Sequence, residues 1–121
     1  MSISKVLKIM ENRLLNKVFV VGHDAELSAC QRIVEGTQLA TVYKPIKVLA
    51  EGAAELAVNM VKGKKIDYTH TIDDGKFSVP TIQYDPILVT KDNMVETVIK
   101  GGFHTMEEGY RNIPKDDWPE K

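Results

Sequence analysis

"KVFVVGHDAE", residues 17–26, decides the reading of the fold. Four consecutive apolar residues, Val18 to Val21, stop at Gly22-His23-Asp24. An unbroken apolar run of this length suits a strand buried on both faces, as in a parallel sheet. A strand over Lys17 to Val21, ended by Gly22, delivers His23 and Asp24 to its carboxyl edge. In open α/β sheets that edge is where ligands bind.

Downstream, the spacing predicts a helix from about Ala25 to Glu35. Leu27, Cys30, Ile33 and Val34 form its inner face, and Gly36 is its stop. Residues 38–43, QLATVY, predict a second strand, followed by Lys44-Pro45. Pro45 stands at a favoured first helical position. The helix it opens carries a stripe of Ile46, Leu49, Ala50, Ala53, Leu56, Ala57, Met60 and Val61, and ends at Gly63. Its small residues, Gly52 among them, permit close packing on a sheet. Upstream, residues 3–14 read as an amphipathic helix, with Ile3, Val6, Leu7, Met10 and Leu14 on one face. Residues 67–84 turn β-branched and aromatic, and Asp74-Gly75 is a hairpin signal. Pro80 confines the second arm to an edge or a bulge. After Pro86 comes a brief apolar run, Ile87 to Val89. Thr90 or Asp92 then caps a short helix bearing Met94, Val95, Val98 and Ile99, stopped by Gly101-Gly102. From Phe103 the tail is charged and poorly patterned, with Trp118 as its candidate anchor. Strands linked by crossover helices define an α/β fold with a parallel sheet. A single helix joins the first two strands, so Asp24 and Lys44 are expected on one edge of that sheet.

The chain has 121 residues, enough for one domain with one core, and is 43% apolar and 27% charged with a net charge of −1. That balance lacks the basic excess of a nucleic-acid binder. No stretch approaches the ~18 apolar residues of a membrane span. The N-terminal MSISKVLKIMENRLLNK has neither the unbroken apolar core nor the small-residue cleavage site of a signal peptide. One cysteine, Cys30, excludes an internal disulfide and a thiolate metal cluster. His70 and His104 lack the carboxylate and histidine spacing of a metal site. Asp73-Asp74-Gly75 lacks the alternating ligands of a calcium loop and reads as a turn. There is no phosphate-cradling glycine loop, acidic pair or Ser/His/Asp arrangement. These absences weigh against an enzyme and against a metal or cofactor, and none of them is expected.

The string from Lys17 to about Val58, with "VVGHDAELSAC", "EGTQLATVYKP" and "EGAAELAV", resembles periplasmic sugar-binding proteins of ABC importers, in the xylose-binding branch that also includes glucose binders. The later "VPTIQYDPILVTKDNMVETVIKGGFH" resembles the end of the same proteins. The likeness runs from about Lys17 to His104. The resemblance implies a type I periplasmic-binding-protein fold, a monosaccharide ligand, an ABC permease as partner, and a periplasmic or cell-surface location for the full-length family. It also implies sugar-contacting roles for Asp24, which stands at the family's aspartate after the strand, and for Lys44, which stands in the Tyr-Lys-Pro string. A carboxylate accepts from two vicinal hydroxyls at once, and an ammonium donates without fixed geometry. His23 stands where the family usually has glutamine and joins them as a candidate contact.

In that family two lobes clamp the sugar, and the chain crosses between them three times. By resemblance, residues 1–43 are a C-terminal-lobe segment, 44–86 a segment of the N-terminal-lobe type, 87–104 a return segment and 105–121 a charged tail. The stacking aromatic residues belong to a part of the family outside this chain. Self-association or a complementary chain is therefore expected. Plainer roles stand beside these. Asp24 suits a helix N-cap, Lys44 a solvated surface lysine, His23 a loop histidine bonded to backbone, Cys30 a core position, and Trp118 packing. Two other functions fit the fold: a sugar-sensing domain of a regulator, and a phosphoacceptor or hydrolase-type α/β enzyme using Asp24.

Overall fold

The computed structural model describes Lys5 and residues 17–120. The helix expected over 3–14 therefore lies, Lys5 apart, outside the described residues. A three-stranded sheet has the order β1-β2-β5, with β1 Val21–His23, β2 Ala40–Tyr43 and β5 Ile87–Val89. β1 and β2 are parallel, with Val21 opposite Ala40 and His23 opposite Val42. Helix α1, Leu27–Glu35, makes the crossover between them. β5 runs antiparallel to β2, with Thr41 opposite Val89 and Tyr43 opposite Ile87.

α1 forms because its apolar residues recur at helical spacing and bury one face: Ala29, Cys30, Ile33 and Val34 are all buried. Gly36, at φ 84°, ends it in the left-handed conformation that glycine adopts without steric cost. The core joins this face to Tyr43, Val89, Met94, Val98, Met106 and Tyr110. Each large aliphatic buried there contributes roughly 1.5–3 kcal/mol relative to exposure. Buried Gln38 is satisfied on both sides: its amide donates to Ala40 O at 3.0 Å and its carbonyl accepts from Arg32 Nε at 3.1 Å.

The first strand departs from expectation. It starts at Val21 and includes Gly22 and His23, although Leu39 N–H still donates to Val20 O at 2.9 Å. Val18, Phe19 and Val21 are exposed, not buried on both faces. Among the described residues β1 pairs with β2 alone, at the edge of the sheet, and an edge strand buries less of its apolar run than a central one. The short helix after β5 is a π-helical turn, Val95–Ile99. Lys100 N–H donates to Val95 O, one residue further back than in an α-helix. Its expected side-chain cap is absent. Asn93 instead clasps the end of β5, accepting from Thr90 N–H at 2.8 Å and donating to Leu88 O at 2.9 Å. The charged tail folds on to the core. A capping box of Thr105 and Glu108 opens a single turn, α3 Met106–Gly109, and Trp118 Nε1 donates to Ile113 O at 2.9 Å.

The chain divides into two compact units, the first taking in the chain up to Lys44 and again from Pro86, the second Pro45–Asp85. The second contains α2, Ile46–Val61, and a hairpin of β3, His70–Asp73, with β4, Ser78–Thr81. Asp74 builds the hairpin turn: its Oδ1 accepts from Lys76 N–H at 2.8 Å and Phe77 N–H at 2.7 Å, and Gly75 follows at φ 89°. Pro80 sits opposite Thr71 in a sheet that consists of two edges. The stripe of α2 buries no residue fully, because the only sheet in its own unit is this narrow ribbon.

Candidate functional site

Parallel pairing of β1 and β2 brings His23 level with Val42, so the residues that follow both strands emerge at one carboxyl edge. There the structure brings together all three residues singled out in the sequence. Lys44 Nζ lies 2.9 Å from Asp24 Oδ1, and His23 Nδ1 lies 2.8 Å from the same oxygen. The side chains of Asp24, His23 and Lys44 are 60, 56 and 50% exposed, open enough for a solute to reach them. Ion pairs this exposed contribute little to the stability of a fold. Lys44 first, then His23, holds the Asp24 carboxyl below its ordinary pKa. Asp24 is thus a firm anion at neutral pH, a pure acceptor beside two donors.

The backbone that aims Asp24 is unusual. Asp24 and Ala25 have φ of 72° and 48°, left-handed values in consecutive non-glycine residues. Asp24 N–H donates to Val42 O at 2.7 Å, and Ala25 N–H donates to Thr41 Oγ1 at 3.2 Å. The Ala25 carbonyl accepts from His104 Nε2 at 2.8 Å and from the Cys30 thiol at 3.4 Å. Asp24 does not cap α1; the capping position is Glu26, and it makes no side-chain cap bond. His23 is bonded to a side chain, not held as a loop histidine by backbone. Cys30 is core, with burial pushing its thiol up to about 11. Trp118 packs near Tyr110, centroids 6.2 Å apart. His70 is remote from the cluster in sequence and bonds its neighbour Thr69 at 3.0 Å.

A parallel strand pair, a crossover helix and a polar cluster at the carboxyl edge are features of the type I solute-binding fold of periplasmic receptors. A solved carbohydrate-transporter solute-binding protein from Chloroflexus aurantiacus, in complex with D-glucose, superposes with a TM-score of 0.68 at 33% identity over 74% of this chain and 26% of its own. The particular relatives are sugar receptors: the chain is 50% identical over 97 residues to the D-xylose-binding periplasmic protein of Haemophilus influenzae and 45% identical over 95 residues to that of Escherichia coli. These matches take in 80% and 78% of the chain, which spans 29% of the length of each relative. The chain is homologous to a segment of these D-xylose-binding periplasmic proteins. No family model matches it.

Proposed function

We propose that this chain is a sugar-contacting segment of a monosaccharide receptor serving an ABC importer, and that Asp24, Lys44 and His23 are its sugar contacts. The observation that carries the reading is the pre-formed Asp24–Lys44 pair at the carboxyl edge, in a segment half identical to a D-xylose-binding protein. Asp24 accepts from neighbouring sugar hydroxyls, while Lys44 and His23 hold the carboxylate and offer protons to sugar oxygens. Hydrogen bonds to charged groups of this kind contribute roughly 1.5–3 kcal/mol each. Residues 1–43 and 87–104 belong, in this reading, to the C-terminal lobe and 44–86 to the N-terminal lobe. The periplasm and an ABC permease follow as location and partner.

A site that buries little of a sugar binds weakly, so calorimetry of the chain against D-xylose, D-glucose, ribose and arabinose is expected to give no micromolar affinity. The test of the contacts uses a chimera in which this chain replaces the matched segment of the Haemophilus influenzae protein. It is expected to bind D-xylose, and Asp24→Asn to weaken binding about ten- to a hundredfold. Undiminished binding by that variant removes Asp24 from the site. We also infer self-association of the isolated chain through the uncovered apolar residues of α2, with sedimentation over a concentration range as the check. A monomer at all concentrations removes that inference.

A further inference from the structure

We infer that Thr41 and His104 are positioning residues for Asp24, acting through the backbone of the Asp24–Ala25 turn. The inference rests on the reading of Asp24 as a sugar contact. Left-handed backbone is sterically costly for a non-glycine residue, and such strain persists where surrounding structure over-determines it. Here two consecutive residues bear it. Ala25 is fully buried, so neither its N–H nor its carbonyl can turn to water. Thr41, itself fully buried in β2, supplies the acceptor for the N–H. His104 supplies the strong donor for the carbonyl from 79 residues away. Its ring is fixed by Phe103, centroids 4.5 Å apart, and Phe103 leans on Tyr43 at 5.0 Å. The Cys30 thiol is a weak second donor.

The consequence is geometric. His23 and Asp24 are adjacent, and a continuing strand would send their side chains to opposite faces. The left-handed turn reverses the chain at Asp24 and swings its carboxylate between His23 and Lys44. Releasing either clamp lets φ return to negative values, and the carboxylate leaves both partners.

The test is an NMR titration of the Asp24 carboxyl in the full chain. In Thr41→Val, which keeps the shape and removes the acceptor, the midpoint is expected to rise toward the ordinary carboxylate value. In Thr41→Ser, which restores the hydroxyl, it is expected to stay low. His104→Phe keeps an aromatic ring on Phe103 and removes the donor. It is expected to raise the midpoint too, and it carries the test if Thr41→Val fails to fold. An unchanged Asp24 midpoint in a folded variant, with only the melting temperature lowered, overturns the inference. The same substitutions in the D-xylose-binding chimera separate the two readings. A shifted titration with unchanged D-xylose affinity upholds positioning and overturns the sugar contact.

Discussion

Lys44 is the largest reason that the Asp24 carboxyl is acidic, ahead of His23. Lys44→Met is therefore expected to raise the Asp24 midpoint more than His23→Leu does, as read by carboxyl NMR. The sign for stability follows. A carboxyl depressed in the folded state stabilises the fold above its unfolded pKa, and that contribution is lost as pH falls through the folded value. Melting followed from neutral pH into acid is expected to show a larger acid-side loss in the wild type than in Lys44→Met, the difference between them vanishing below the folded midpoint. Exposure of the group keeps the difference small. Asp24 and Lys44 were legible in the sequence because two strands joined by one helix place their ends together. The His23–Asp24 bond was not, since neighbouring strand residues face opposite ways and nothing in "GHDA" announces a left-handed Asp24. Thr41 reads as an ordinary β-branched strand residue, and the distance of His104 along the chain hides its partner.

Among the elements, α2 offers a clear test at Gly52. A Cβ there would overlap the Tyr84 hydroxyl and lie 2.8 Å from its Cζ. Tyr84 is exposed and its ring end can turn aside, so Gly52→Ala sets a helix-propensity gain of roughly 0.5–1 kcal/mol against the loss of the Tyr84 contact. A small net change is expected in denaturant titrations. In a Tyr84→Ala background the same substitution is expected to stabilise by the full propensity gain. The stop of α1 at Gly36 and the turn at Asp74-Gly75 were legible because each rests on local chemistry, a left-handed glycine and an Asx-type aspartate. The tail was not. Met106, Tyr110, Ile113 and Trp118 fold on to the core through a single helical turn and a 3-10 turn, Lys115–Asp117, too short to leave a period. The start of β1 slipped because an apolar run marks a strand's interior and carries no signal for its ends.

For the whole molecule, the two units differ in what they bury. Residues 45–85 contain no fully buried side chain, whereas α1, β2 and β5 share a closed core. A two-stranded ribbon is marginally stable by itself. Hydrogen exchange is expected to show α2 and β3–β4 amides opening well before those of β2 and α1, which exchange with global unfolding. Equal protection throughout would mean that the chain unfolds as one cooperative body. The pairing of Tyr43 with Ile87 carries a different consequence. The chain leaves β2 and re-enters β5 at directly opposed residues, so the two strands are the arms of one antiparallel pair closed by everything from Lys44 to Pro86. Loop-closure entropy grows as (3/2)RT ln n, and a tenfold shorter connection recovers about 2 kcal/mol. Replacing residues 45–85 with a short Asn-Gly turn is therefore expected to leave β1, β2, β5 and α1 folded, to raise their melting temperature and to speed their refolding. The second unit is, in polymer terms, an excursion that its host can lose.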